Sequence, residues 1–378
     1  MNIIIKKILL VFFSCIFILS NAYSIETKAI SAHVEDISTN TVLFEKDSDA
    51  PYGPASMSKL MIIYLTFERL QNGLITLQDE FVVSKKAWKF GGSKMFVNIG
   101  DKVTVDHLLK GIIVQSGNDA CIVLAEGLSG SEENMVDEMN ERKDELGLNN
   151  SNFTNVTGWP NTDHYMSARD IVQIAKLIII NFPEYYHLFA MKEFTYNDIK
   201  QYNRNRLIDE NYDGLKTGRT TQTGFGIVTS AKRGDRRIVS VVNGLSSDQQ
   251  RIKETRKLIE WAFIDFKKVN LYTEEQTIIE TKVWLGNKSY VPLSTSKDIK
   301  ITIPKRNINK LQVKAIYKSP IPAPIKKGDQ LGELVISTGN NETSYPLVAG
   351  NDVKTINRFL RSFSIINYLL FGVSSPEK

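Results

Sequence analysis

The sequence predicts an α+β fold: an antiparallel sheet with helices on both sides, then a small all-β domain and a C-terminal amphipathic helix. Three observations carry this expectation. Strand-like alternation appears near residue 30 and again after residue 215, with helix-period segments between. Short alternating runs separated by Gly, Pro and Asn fill residues 276–348. Large apolar residues recur on one helical face within residues 352–372.

Residues 1–24 read as a secretory signal peptide. Lys6 and Lys7 give a basic start, residues 8–19 are apolar, and Ala22-Tyr23-Ser24 supplies a cleavage signal. The apolar run is shorter than the ~20 residues a membrane span needs. Export is therefore expected. Cys15 leaves with this segment, so Cys121 is the one cysteine of the mature chain. A disulfide framework is excluded, and Cys121, before the apolar "IVLA", reads as a small buried hydrophobe.

The larger predicted domain covers residues 25–272. "AISAHVEDI" and "TVLFEK" flank the polar "STN" as strand, turn and strand. Residues 56–70 read as a helix, because Met57, Leu60, Met61 and Tyr64 recur at helical spacing and Gly73 lies beyond the end. Further helical patterns cover residues 105–114, 120–126, 132–146 and 167–180. After Leu215 the period becomes two: "GFGIVTSAK" and "RRIVSVVNG" are joined by Arg233-Gly234-Asp235 as a hairpin. A helix at 250–266 closes the domain. The sheet is thus fed from both chain ends.

Residues 276–348 contain "TIIETKVWL", "SYVPL", "IKITIP", "LQVKAIY", "GELVIS" and "SYPLVA", a small sandwich or barrel. In residues 352–372, Ile356, Phe359, Leu360, Phe363, Ile366 and Leu370 share a helical face, with Lys354, Arg358 and Arg361 on the other. Such a helix suits a membrane surface; three cations interrupt it too often for a span.

Composition narrows the chemistry. The net charge is +5, two units of which belong to the signal, so nucleic acid is not an expected partner. His33, His107, His164 and His187 are scattered with no metal-ligand spacing. No metal or cofactor is expected.

The reactive candidates begin in "YGPASMSKLM", residues 52–61. Ser56 and Lys59 lie three apart and share a helical face. Ser56 falls in the first turn, where free N–H groups meet a developing oxyanion. A serine hydroxyl needs a base to become a nucleophile. Lys59 serves once burial and a second cation lower its pKa. The S-x-x-K pattern alone is weak, since Ser294–Lys297 and Ser375–Lys378 also match. What decides is the rest of the set. Ser116-Gly117-Asn118 follows in "VQSGNDA", and Lys216-Thr217-Gly218 in "DGLKTGRT". A second S-x-N, Ser38-Thr39-Asn40, sits in a predicted turn before the nucleophile; K-T-G occurs once.

Each element has a physical job. Lys216-Thr217-Gly218 is expected on an edge strand, where Gly218 leaves room for a substrate backbone to pair. Lys216 and Thr217 offer a cation and a hydroxyl to a carboxylate, and Lys216 is expected to hold down the Lys59 pKa. Ser116 is placed to pass a proton to a leaving amine. Asn118 is placed to bind a substrate amide and steady Lys59. The N–H groups of Ser56 and Arg219 form the expected oxyanion hole.

S-x-x-K, S-x-N and K-T-G in this order match, with a looser second element, the set of penicillin-binding proteins and class A β-lactamases. The likeness extends to "GSKMFVNIGDKVTVDHLLKGIIVQSGNDACIVLAE", "NDIKQYNRNRLI", "YMSARD" and "DGLKTGRTTQTGFGIVTSAKRGDRRIVSVV". The chain resembles a serine D-alanyl-D-alanine carboxypeptidase of the low-molecular-mass penicillin-binding proteins, over nearly all of its mature length. The resemblance implies a transpeptidase-like (β-lactamase-like) catalytic domain and a membrane-surface tail on the periplasmic side of the inner membrane. It implies removal of the terminal D-alanine from peptidoglycan stem pentapeptides through an acyl-enzyme, and acylation of Ser56 by β-lactams. It also implies a part for Arg251 in holding the terminal carboxylate. One departure stands out: Arg219 occupies a position that is commonly His in this family.

Two rival enzymes use the same site. A class A β-lactamase needs a deacylating glutamate in E-x-x-L-N, and Glu145-Leu146-Gly147-Leu148-Asn149 matches literally. That stretch reads instead as a charged helix end stopped by Gly147. A D,D-endopeptidase or transpeptidase shares the acyl-enzyme and differs only in donor or acceptor. A wall-binding protein on a decayed scaffold is disfavoured, because every catalytic residue type is intact.

Overall fold

The computed structural model describes residues 25–339, 341–357 and 362. The signal peptide lies outside the described residues.

The chain opens with β1 (Ser31–Asp36) and β2 (Thr41–Lys46), then α1 (Lys59–Gln71). Next come α2 (Val105–Lys110), α3 (Asn118–Ser129), α4 (Glu132–Glu145) and α5 (Ala168–Asn181). β3 (Tyr212–Thr220), β4 (Gly224–Arg233), β5 (Arg236–Leu245) and α6 (Asp248–Asp265) complete the domain. The sheet order is β2-β1-β5-β4-β3, antiparallel throughout, with β3 at one edge. The sheet is buried on both faces, and its period of two sorts the side chains. Val228, Val239 and Val241 join the core of α1, α3 and α5. Ile227, Ile238 and Val242 join Leu258, Ile259 and Ala262 of α6 on the opposite face.

α1 runs through the middle of the larger core. Every residue from Lys59 to Phe67 is buried, which accounts for the apolar run around the whole circumference. Phe67 is fully buried and meets the rings of Tyr185, Phe182 and Phe189 at 5.1, 5.8 and 6.3 Å. Phe67→Ala is expected to cost about 3–5 kcal/mol, read as a lower denaturation midpoint with an unchanged slope.

Several boundaries differ from expectation. The predicted helix at 56–70 is a 3-10 turn, Ala55–Ser58, that feeds α1. Ala55 has φ 49°, and the Met57 N–H bonds Pro54 O at 3.1 Å, so the chain tightens before the α-helix starts. The predicted helix at 105–114 is α2 followed by a π-turn, Gly111–Gln115, which ends on left-handed Ser116. Gly147, at φ 74°, stops α4 as expected.

Phe266 belongs to a strand. β6 (Phe266–Tyr272) pairs with β9 (Ile299–Pro304). Around it lie β7 (Ile279–Trp284), β8 (Tyr290–Ser294), β10 (Leu311–Tyr317), β11 (Gln330–Thr338) and β12 (Asn341–Ala349). Val291, Leu293, Leu334, Ile336 and Leu347 form their core. Thr302 of β9 donates to Asp36 of β1 at 2.8 Å, tying this module to the central sheet.

The helix expected at 352–372 does not begin where predicted. Val353 pairs with Ile325, Thr355 with Gly286, and the Ile356 N–H bonds Leu285 O at 3.0 Å. The backbone of residues 352–357 is thus committed to the β module. Of the remaining tail only Ser362 is among the described residues. Among the described residues, no helix is long and apolar enough to cross a membrane.

Candidate active site

The 3-10 turn presents Ser56 at the surface while Lys59, one turn on, is fully buried. Lys59 Nζ lies 2.8 Å from Ser56 Oγ, 2.7 Å from Asn118 Oδ1 and 2.5 Å from Thr157 O. An ammonium has three donors, and here all three are used. The Asn118 amide is oriented without ambiguity: its Nδ2 donates to Gly91 O at 2.9 Å, so Oδ1 must face Lys59. Neither Asn118 Oδ1 nor Thr157 O can donate. When Lys59 loses a proton, its lone pair can therefore accept only from the Ser56 hydroxyl. Burial pushes the Lys59 ammonium down to about 8, and the charge on Arg204 adds to the push.

Ser116 closes the π-turn at φ 65°. Its Oγ is buried with no hydrogen-bond partner among the described residues. Ser116 and Ser56 line the same cleft.

Lys216, Thr217 and Gly218 lie on β3, the edge strand, as expected. Lys216 is buried, and among the described residues its Nζ reaches only Thr217 O, at 3.3 Å. Burial, Lys59 and Arg204 hold the Lys216 ammonium well below the usual range. Repulsion between two buried like charges is mutual, so each of these lysines disfavours the other's ammonium form. Of two buried like charges, the one with fewer acceptors yields its proton first. Arg204 is a further cation that acts on both.

Gly218 lines the cleft with Ser56 and also has a use beyond the one expected. A Cβ there would sit 2.7 Å from Pro54 O and 3.1 Å from the Ala55 Cβ. The space it leaves is filled by the nucleophile turn, which docks directly on β3.

Arg219 is exposed, with its guanidinium 4.7 Å from the Phe225 ring centroid. Arg251, at the start of α6, is buried against the same ring at 5.6 Å. It donates to Gly226 O at 3.2 Å and pairs with Asp248. Arg219, Arg251 and Thr217 wall a cleft of about 440 Å³ that also contains Arg204, Arg206 and Tyr202. Sequence reasoning missed Arg204, whose Nε is held by Gln115 O at 2.9 Å. The only trace was its place in "QYNRNR". Four arginines against Asp248 make this cleft strongly cationic.

The remaining motif copies lie elsewhere. Ser294 is buried in β8 of the β module. Ser38 accepts the Arg237 N–H at 2.8 Å in a turn. Ser375 lies outside the described residues. Glu145 has a side chain 64% exposed and pairs with Arg142, away from the cleft walls. It is not placed to activate a water at Ser56. Cys121 is buried beside this machinery and pushed up to about 12 by burial, which keeps it an inert thiol.

Comparison with known proteins then decides the family. A family model described as D-alanyl-D-alanine carboxypeptidase matches residues 19–247. The chain belongs to this family. It is a serine peptidase of that kind. A second model, the C-terminal domain of penicillin-binding protein 5, matches residues 266–355, starting at β6. The D-alanyl-D-alanine carboxypeptidase DacC of Escherichia coli (strain K12) is 36% identical over 342 residues, 88% of this chain and 86% of its own. DacF of Bacillus subtilis (strain 168) is 37% identical over 336 residues, 86% of each chain. Among solved structures, penicillin binding protein 5 from Haemophilus influenzae superposes with a TM-score of 0.82 at 34% identity, covering 88% of this chain and 99% of its own. Penicillin binding protein 6B from Escherichia coli gives 0.73 at 31% identity, covering 86% and 96%. The fold is therefore that of the family's catalytic domain with its β module.

Proposed function

We propose that the protein removes the terminal D-alanine from peptidoglycan stem pentapeptides through an acyl-enzyme on Ser56. The observation that carries this reading is the partner set of Lys59: two pure acceptors and the Ser56 hydroxyl. With a pKa of about 8, roughly a tenth of Lys59 is neutral at pH 7. Neutral Lys59 takes the Ser56 proton as Oγ attacks the penultimate carbonyl. The oxyanion is received by the N–H groups of Ser56 and Arg219. Ser116, its Oγ free of other partners among the described residues, delivers a proton to the departing D-alanine amine and regains one from the Lys59 ammonium, which returns Lys59 to its neutral form. The terminal carboxylate lies in the cationic cleft against Thr217, Arg251 and Lys216; its charge favours re-protonation of Lys216. Water then releases the shortened peptide.

β-Lactams acylate the same Ser56 and yield a slowly hydrolysed adduct. Shortened stems cannot donate to crosslinks, so the activity limits crosslinking in wall synthesis. Action on the periplasmic face, with the basic apolar tail on the membrane surface, fits the sequence of residues 358–372, beyond the part that pairs with the β module.

The test is release of D-alanine from a synthetic pentapeptide. Wild type is expected to release it and Ser56→Ala to release none above background. Full release by Ser56→Ala would remove the mechanism. Cleavage of crosslinked dimers without D-alanine release would make the protein an endopeptidase.

A further inference from the structure

Ser58 and His164 have no part in the mechanism above, yet both are buried beside it. We infer that His164, acting through Ser58, is the positioning residue that clips the nucleophile turn to the loop holding Lys59. The inference rests on the proposed role of Ser56 and goes beyond it.

The hydrogen-bond directions follow from one fixed donor. The Thr154 N–H can only donate, and it meets His164 Nδ1 at 3.1 Å. Nδ1 is therefore the acceptor, and the ring proton sits on Nε2. Nε2 faces Ser58 Oγ at 3.0 Å. Ser58 accepts that proton and donates its own to Ala55 O at 3.0 Å. The chain of three bonds starts on the loop Thr154–Gly158 and ends on the turn Ala55–Ser58.

Both ends matter for chemistry. Ala55 is held at φ 49°, a left-handed conformation disfavoured for a residue with a Cβ. Something must hold it, and Ser58 grips its carbonyl. The residue that follows Ala55 is Ser56. At the other end, Thr157 supplies the carbonyl 2.5 Å from Lys59 Nζ. His164 thus sets the spacing between nucleophile and base from behind. Ser58 and His164 are 0% and 3% exposed, so no water replaces a lost link cheaply. The ring stays neutral, because burial and the charge on Lys59 hold it down to about 4.

The experiment measures acylation by a fluorescent penicillin, separating the initial binding constant from the acylation rate constant. Ser58→Ala is expected to slow acylation about 10- to 100-fold while binding changes little. His164→Gln keeps a donor toward Ser58 and is expected to recover most of that rate. His164→Leu, of similar bulk without a donor, is expected to match Ser58→Ala. Should Ser58→Ala fail to fold, the Gln and Leu pair carries the test. Equal acylation rates in His164→Gln and His164→Leu overturn the inference, as does a wild-type rate in folded Ser58→Ala. Failure of the underlying mechanism looks different: Ser56→Ala would then still be acylated.

Discussion

Replacing Lys59 by methionine is expected to lower the acylation rate constant about 100- to 10,000-fold, the usual range for loss of a general base. Methionine keeps the buried stem packed in α1, so the fold is expected to survive. What disappears is the one group able to accept the Ser56 proton. The pH dependence follows with a definite sign. The base works neutral, and its folded pKa is about 8. Wild-type acylation should therefore fall about tenfold per unit as pH drops below that value, and level off above it. The Lys59→Met residual rate should lose this limb. A variant that keeps both the rate and the limb assigns the proton to another group. Stability runs in parallel: an unfolded lysine binds protons up to its ordinary pKa, so stability rises as pH climbs from about 8 toward 10.5. The Lys59 share of that rise should be lost from Lys59→Met melts, leaving the share that buried Lys216 contributes with the same sign.

Gly158→Ala is the second large effect. Gly158 has φ 76°, and a Cβ there would lie 2.0 Å from Ala55 O and 2.9 Å from the Ser56 N. Both are backbone atoms, so no side-chain rotation relieves the clash. Backbone strain alone costs on the order of 1–3 kcal/mol. Relief must move either the Ser56 turn or the Thr157 carbonyl that holds Lys59. About 100-fold slower acylation is expected, since an ångström of misplacement costs about that much. Stopped-flow acylation beside a denaturant melt checks both. An unchanged rate in a folded Gly158→Ala protein would show that this contact is not needed to hold the nucleophile.

Much of the fold was legible because period and burial coincide. The strands around Val228 and Val239 are buried on both faces, and their β-branched runs say so. The residues that meet around Ser56 were legible as types: Lys59, Asn118 and Lys216 each carry a motif. What stayed hidden is carried by backbone or by distant pairing. Thr157 contributes a carbonyl, which any residue supplies. Arg204 is held by Gln115 O, again a backbone group, so nothing in its neighbours marked it. The π-turn before Ser116 and the left-handed Ala55 are tertiary choices that helical spacing does not encode. The docking of Gly218 on Pro54 stayed hidden because Pro54 lies 164 positions earlier in sequence. The helix expected at 250–266 overruns into Phe266, because the partner of β6, β9, lies about thirty residues on. The extended start of the tail was missed for the same reason: Ile325, Gly286 and Leu285 claim its backbone.

The most direct test of Ser56 as the nucleophile is mass spectrometry of the intact protein after brief exposure to a penicillin, followed by peptide mapping. The expected result is one covalent penicillin per chain, on the peptide containing Ser56, absent from Ser56→Ala. An adduct on any other residue, or an unmodified chain with rapid penicillin turnover, contradicts it.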